Sequence, residues 1–372
     1  MPPPNPLEAL LIRRIRATGP LTLADYMAEC LLHPEHGYYT TRPPFGLEGD
    51  FITAPEISQM FGELLGLCLA QYWLDHGRPE AFTLAELGPG RGTLMADVLR
   101  ATRGVPGFHA AARVTLVEAS PRLRDQQRSL LCAHPVSWLD TPDQLPEAPL
   151  YLIANEFFDA LPIRQFTRDA RGWRETVVTA TDRLAYARTP PAPVAALDYR
   201  LHDTIPGEIV ETCAAAAAIT QGLAARIARQ GGLALILDYG GWHARGDTFQ
   251  ALRHHAFADP LQNPGEADLT AHVDFAALAE AASPCHIRYT TQGALLANLG
   301  IAARAATLAQ RLDGPALESH HAATRRLTDP AEMGTLFKAL ALFAPGAAPP
   351  AGFPTEPPPS AHSQDRHAPI RP

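Results

Sequence analysis

The spacing of apolar positions changes character near residue 80. Before that point it is helical. Leu7, Leu10, Leu11 and Ile15 share one face of a first helix, and a second helix is expected after Thr18-Gly19-Pro20, with Thr22 capping Leu23-Ala24-Asp25-Tyr26-Met27. The segment 36–55 is rich in Gly, Pro and aromatic residues and reads as a loop. A further helix is expected over 56–76, where Ile57, Met60, Phe61, Leu64, Leu65, Leu67, Cys68 and Leu69 make an apolar band wide enough for burial on most sides.

Beyond residue 80 short apolar runs alternate with helical patterns. Strands are expected at 83–87, 113–118, 135–139, 150–154 and 233–239, and helices at 93–103, 121–131 and 214–230. Alternation at these lengths implies an α/β fold, a mostly parallel Rossmann-like sheet with helices on both faces. Two insertions interrupt it. The one near 160–207 is strand-rich at 163–167 and 173–178 and then loop-like; the one near 241–335 is mixed, with helical stretches around 275–282 and 293–309. The expected division is an N-terminal helical segment with a lid-like loop (1–80), a core with its insertions (81–345) and a proline-dense tail (346–372). The tail reads as extended or disordered.

Composition narrows the class. A chain of 372 residues, 46% hydrophobic and 19% charged, has the make-up of a folded protein, and no apolar run approaches the ~20 residues of a membrane span. A net charge of −8 speaks against broad nucleic-acid binding, which needs a basic face. Five scattered cysteines without a CxxC suggest neither a zinc site nor a redox pair. His254-His255 with Asp259 lack a second ligand cluster, so they read as a solvated loop and no metal is expected. The N-terminus has neither signal-peptide nor transit-peptide character, which makes the cytoplasm the default expectation.

The candidate chemistry begins at Glu86-Leu87-Gly88-Pro89-Gly90-Arg91-Gly92, where a strand runs through a glycine turn into a helix. Glycine permits unusual backbone angles and lets a ligand approach the main chain, and in an open α/β sheet this turn lies at the ligand-binding edge. A dinucleotide fingerprint would place a third glycine where Thr93 stands and a ribose-binding acid about 20 residues on. Here the acid is Glu118, 28 residues after Gly90 at the tip of the next strand. That placement suits the ribose hydroxyls of S-adenosylmethionine (SAM), and no GK[ST] supports a P-loop. Glu86, Gly88, Gly90, Gly92 and Glu118 are therefore the candidate cofactor residues.

The fourth strand runs into Asn155-Glu156-Phe157-Phe158-Asp159-Ala160-Leu161-Pro162. Methyl transfer is an in-line displacement, so the protein contributes chiefly by positioning. Carboxylates can pair the N–H groups of a guanidinium, which makes Glu156 and Asp159 candidates on the acceptor side, with Asn155 orienting through its carbonyl. A polar turn capping the next helix is the alternative reading.

Several segments together resemble the MidA-like methyltransferase family. They are Gly49-Asp50-Phe51-Ile52-Thr53-Ala54-Pro55-Glu56-Ile57-Ser58-Gln59, residues 86–93 and 155–162, Leu237-Asp238-Tyr239-Gly240, Asp268-Leu269-Thr270-Ala271-His272-Val273-Asp274-Phe275, Thr291-Gln292-Gly293 and Glu332-Met333-Gly334. The resemblance spans about residues 10–345. It implies a SAM-dependent enzyme and, from the mitochondrial members that assist complex I assembly, methylation of a protein arginine in a quinone-module subunit or its equivalent. It also raises Asp50 as a catalytic residue on a lid near the sulfonium or substrate, Thr53 and, at the fifth strand tip, Asp238 as further cofactor-binding residues, and His272 as a base with Asp274 as its partner. Asp238 also reads as a turn-stabilising residue, and Asp274 as a cap for the helix at Phe275. Two other functions stay open at this point: a small-molecule or other protein N- or O-methyltransferase, and a SAM-binding assembly factor without turnover.

Overall fold

The computed structural model describes residues 5–41 and 53–358. Among them the strands form three sheets. The largest has the order His286–Thr291, Phe337–Phe343, Gly232–Gly241, Leu150–Asn155, Phe82–Leu87, Ala112–Val117, Val136–Leu139. From Gly232–Gly241 to Val136–Leu139 all pairs are parallel, and Phe337–Phe343 runs antiparallel to both its neighbours. All five strands read from the sequence lie in this sheet, and the α/β class holds.

The continuous apolar runs arise because both faces are covered. Along Leu150–Asn155, Tyr151 and Ile153 join a core with Phe61, Leu65, Leu94 and Val98 from the helices Gln59–Asp75 and Thr93–Thr102. Leu150, Leu152 and Ala154 join the opposite core with Leu223, Ile227, Phe275 and Leu278 from Ala214–Gln230 and Phe275–Ala281.

The chain builds outward from Phe82–Leu87 to Val136–Leu139, then returns to the other side of its first strand with Leu150–Asn155. Such a reversal opens a crevice at the carboxyl ends, where open α/β sheets bind ligands. Leu87 is registered against Ala154 and Leu237 against Asn155, so three loops leave the sheet side by side.

A second sheet joins Arg164–Asp169, Gly172–Ala180, Leu184–Arg188 and Ile209–Thr212 to Leu21–Thr22, so the N-terminal extension and the first insertion share strands. Thr22 caps Leu23–Leu32 through a capping box with Asp25. The third sheet is Ala256–Ala258, Gln250–Arg253 and Asp268–Thr270.

Several sequence expectations are corrected. The helix read over 56–76 is two helices, Ala54–Ile57 and Gln59–Asp75, parted by an extended Ser58 whose Oγ accepts the Met60 N–H at 3.3 Å. The stretch 293–309 breaks at Gly300, φ +90°. The region 241–335 is not one insertion, because His286–Thr291 within it is the edge strand of the main sheet. Its mixed polar pattern conceals it, since an edge strand keeps its side chains half-exposed. The tail is also not free throughout. Phe353 is buried, the Ala351 carbonyl accepts the Cys68 thiol at 3.4 Å, and the Gly352 carbonyl accepts Asn298 Nδ2 at 3.0 Å. No helix among the described residues is long and apolar enough to cross a membrane.

One charged knot joins three helices of the first core. Glu63 on Gln59–Asp75 is buried and receives Arg304 through two N–H groups at 2.7 and 2.9 Å and Arg100 at 2.5 Å. Burial pushes its carboxyl up, but the hydrogen bonds from Arg304 and Arg100 outweigh this and hold it below the usual range. Because the arginines are partly solvated, Glu63→Gln should cost about 1–3 kcal/mol of unfolding free energy at pH 7. The wild-type advantage should fade as pH falls through the acidic range, since a carboxyl depressed in the folded state stabilises only while ionised. Urea midpoints at pH 7 and pH 4 measure both effects.

Candidate active site

At the end of Phe82–Leu87 the chain turns through Gly88, Gly90 and Gly92 with φ of +59°, +53° and +87°. This left-handed run suits glycine alone among common residues. At Gly88 a Cβ would also lie 2.8 Å from Phe157 Cδ2. Gly92 precedes Thr93–Thr102, so the unpaired N–H groups of that helix start beside the loop. Glu86 is buried and accepts the Met95 N–H, and its Oε2 has no partner among the described residues. Burial, with Glu118 adding like charge, pushes its carboxyl up to about 8.

Glu118 follows Ala112–Val117. Its Oε1 accepts the Ser120 N–H at 2.8 Å and its Oε2 accepts Gln127 Nε2 at 3.2 Å. Burial raises its pKa, and these donors oppose the rise. One lone-pair direction on each oxygen is left for a ligand hydroxyl.

On the adjacent strand the turn begins at Asn155. Glu156 adopts φ +51°, a conformation uncommon outside glycine and one that clusters at functional sites. Its Oε1 accepts the Ala54 N–H at 3.1 Å and Asn155 Nδ2 at 3.0 Å. That leaves the buried Asn155 Oδ1 unpartnered among the described residues. Burial pushes the Glu156 carboxyl up to about 7, although Arg326 nearby works the other way. Asp159 is also buried. Burial raises it well above the carboxylate range, and Asp238, Glu156 and Asp268 add to the effect.

Asp238 holds this turn together. Its Oδ2 accepts the Phe158 and Asp159 N–H groups at 2.9 and 3.2 Å, and its Oδ1 accepts the Tyr239 N–H at 3.0 Å. Burial and Glu156 push it up to about 8, whereas the three donors favour its ionised form. The structure thus puts Asp238 on the main chain of the turn at 155–159, the arrangement its turn-stabilising reading describes.

Thr53 stands at the entrance to Ala54–Ile57, where its carbonyl accepts the Glu56 and Ile57 N–H groups at 2.9 and 3.2 Å. Asp50 lies outside the described residues. His272 is half-buried, with its ring edge-on to Tyr239 at 5.1 Å, and burial together with Lys338 lowers its pKa. Asp274 caps Phe275–Ala281 through the Ala277 N–H at 3.0 Å, which is its cap role. The structure therefore brings Asn155, Glu156, Asp159 and Asp238 together beside the glycine loop, and sets His272 behind Tyr239's ring contact without an Asp274 pairing. Among the described residues no cluster of three His, Cys, Asp or Glu is placed to hold a metal. His254 and His255 are exposed in the hairpin turn after Gln250–Arg253, at φ +51° and +60°.

Sequence reasoning missed three contributors. Glu56 reaches the glycine loop by accepting Thr93 Oγ1 at 2.7 Å and Arg91 at 3.4 Å. It lies in the same motif as Thr53, which was its only signal. Gln127 bridges Glu118 and the Gly90 carbonyl, the latter at 2.7 Å. Tyr39 donates to Asp268 Oδ1 at 2.9 Å, and both lie in the electrostatic neighbourhood of Asp159.

The residues present fit an adenosyl sulfonium donor. The loop's main chain is open at glycine, Glu86 Oε2 lacks a donor among the described residues, and Glu118 stands at the second strand tip with acceptor capacity to spare. Fold and site together define a Rossmann-like SAM-dependent methyltransferase.

Comparison with known proteins agrees. Residues 64–291 match the family described as "Putative S-adenosyl-L-methionine-dependent methyltransferase". The chain is 36% identical over 369 residues to Protein arginine methyltransferase NDUFAF7, mitochondrial, of Bos taurus, which covers 91% of this chain and 83% of the relative. It is 38% identical over 346 residues to the Xenopus tropicalis protein, covering 84% and 80%, and 38% identical over 378 residues to the Drosophila melanogaster homolog, covering 91% and 84%. A solved Burkholderia thailandensis structure bound to S-adenosyl-homocysteine superposes with a TM-score of 0.80 at 31% identity, covering 92% of this chain and 95% of that one. The chain belongs to this MidA-like family of SAM-dependent methyltransferases. The expectation of a cytoplasmic protein is overturned, because the relatives are named as mitochondrial. The character of an N-terminus is weak ground for assigning a compartment.

Gly88→Ala tests the loop. An added Cβ meets the Phe157 ring on a left-handed backbone, so affinity for S-adenosyl-homocysteine should fall at least about tenfold by calorimetry. Unchanged affinity would remove the loop from the donor site.

Proposed function

We propose that this enzyme methylates an arginine side chain of a protein, and that its partner is a quinone-module subunit of respiratory complex I or the equivalent protein. The names of the relatives support arginine as acceptor. The observation that carries the reading is the acidic turn itself, where Asn155 Oδ1, without a partner among the described residues, adjoins Glu156, with Asp159 and Asp238 close by.

Burial is what raises these carboxyls, and at Asp159 the like charges of Asp238, Glu156 and Asp268 add repulsion to it. A guanidinium entering the turn relieves that repulsion and supplies N–H donors in a planar fork. A carboxylate acceptor would add to the repulsion, so the electrostatics favour a cation over an anion. In this reading Gly88, Gly90, Gly92, Glu86 and Glu118 hold the donor, with Thr53 near it. Asn155, Glu156 and Asp159 face the acceptor, and Asp238 keeps the turn in register. Asp50 remains a proposed lid residue. His272, kept neutral by burial, is a proposed proton acceptor of second rank.

Bound SAM supplies an electrophilic methyl group on sulfur. The chain's own work is to orient one guanidinium nitrogen, exclude water and accept the proton that nitrogen loses. Glu156 serves orientation best when ionised, because only the carboxylate accepts with both oxygens.

Two outcomes follow for protein-arginine methylation assayed in lysate of cells lacking the enzyme. With Glu156→Gln, kcat/KM for the acceptor should fall about 100-fold while S-adenosyl-homocysteine affinity changes less than about twofold. The wild-type kcat/KM should rise between pH 6 and 8 as Glu156, pushed up to about 7, ionises, and the variant should lack that inflection. An equal loss of donor affinity would refute the acceptor role, and mass spectrometry without any changed arginine site would refute the substrate class.

A further inference from the structure

Gln127 is buried without exposure on Pro121–Leu130, a helix whose other polar residues are largely solvated. A primary amide sealed from water must place its donors and acceptor on protein groups. Its Oε1 accepts the Trp138 indole N–H at 2.8 Å. An indole only donates, so this contact settles which end of the amide is oxygen. Nε2 is thereby turned the other way, where it donates to the Gly90 carbonyl at 2.7 Å and to Glu118 Oε2 at 3.2 Å. The methylene stem also packs on the loop, with Cγ 3.4 Å from the Cβ position of Gly92. One side chain thus ties the third strand, the glycine loop and the second-strand acid together.

We propose that Gln127 is a positioning residue for donor binding: it locks the Gly90 peptide and the Glu118 carboxylate to each other, so that loop and ribose acid present themselves as one preformed surface. The proposal rests on the reading of Glu118 as the group that receives the ribose hydroxyls. Preformed acceptors bind without the cost of ordering two independent segments.

The same contact governs the charge of Glu118. The groups around that carboxyl are Glu86 on the neighbouring strand, Arg124 on the same helix as Gln127, and the N–H groups of Ala119 and Ser120. Arg124 spends its guanidinium on the Glu118 and Leu139 carbonyls and on Asp140, and Arg128 lies over the Trp138 ring at 5.0 Å. Among the described residues only Gln127 and the main-chain donors of the turn therefore touch the carboxylate oxygens. Without the Gln127 donor, burial is less opposed, and Glu118 holds its proton to higher pH.

Calorimetric titration of S-adenosyl-homocysteine into wild type, Gln127→Leu, Trp138→Phe and Glu118→Ala at pH 6.5, 7.5 and 8.5 tests this. Gln127→Leu should bind about tenfold more weakly at pH 7.5, with the gap to wild type widening at pH 6.5 and narrowing at pH 8.5. Trp138→Phe, which removes the N–H that orients the amide, should show the same trend at smaller amplitude, about threefold. It also keeps the test decisive if Gln127→Leu fails to fold. A merely structural role would lower affinity equally at every pH, and that result, or wild-type affinity in both variants, overturns the proposal. Wild-type affinity in Glu118→Ala would instead show that the underlying reading of Glu118 is wrong.

Discussion

The site depends on the registration of three neighbouring parallel strands. Leu87 opposite Ala154 and Asn155 opposite Leu237 bring the glycine loop, the acidic turn and Asp238 to a common edge. Strand pairing alone does not finish the arrangement, because loops leaving a sheet are free to splay. Asp238 prevents this by accepting two N–H groups from the turn across the strand gap, and Glu156 accepts an N–H from Ala54 on the other side. These bonds are made by carboxylates to main chain, so they fix backbone positions without competing for the open side of the crevice. The apolar layers above and below make slippage costly, since a one-residue shift would exchange Ile153 and Leu152 between cores.

Holding acids at such an edge opposes stability, and the fold offsets that cost differently at each position. Glu63 is satisfied by two arginines and is held below the usual range. Glu118 is satisfied by neutral donors and remains raised. Glu86 and Asn155 each keep one oxygen without a partner among the described residues. Pairing is thus complete at Glu63 and incomplete at these sheet-edge groups. Unmet acceptors of this kind are a liability in an empty core but become binding energy once a ligand brings donors.

The central fold was legible because its signals are local. Apolar runs of strand length, glycine turns and helical periodicity each occur within a few residues, and the five parallel strands came directly from them. The edge strand His286–Thr291 escaped because half-exposed strands carry polar side chains, and the break at Ser58 escaped because apolar residues continue across it. Within the site, glycines and strand-tip acids announce themselves by spacing. Gln127 does not, since a glutamine on a polar helix looks solvated until the third strand supplies Trp138. Nor does Tyr39 suggest Asp268, which lies 229 residues away and meets it only through tertiary packing.

That distant pair bears on why the chain carries an extension and insertions at all. A bare doubly wound sheet would leave the acidic turn open on the side away from the glycine loop. Here Leu21–Thr22 pairs with Gly172–Ala180, which joins the N-terminal helices to the first insertion, and Tyr39 on the following segment reaches Asp268 on the third sheet. The Asp159 carbonyl accepts the Ala271 N–H at 3.0 Å, and the His272 N–H donates to Thr248 Oγ1 at 2.9 Å, so the second insertion is bonded both to the turn and to itself. Three separate stretches of sequence therefore close around Asp159. That closure removes water from the carboxylates of the turn, raises the Asp159 pKa and strengthens charge interactions there; in the proposed function this falls on the acceptor side. In the proposed function the common sheet binds the donor, and the added segments shape where the acceptor's charge is received.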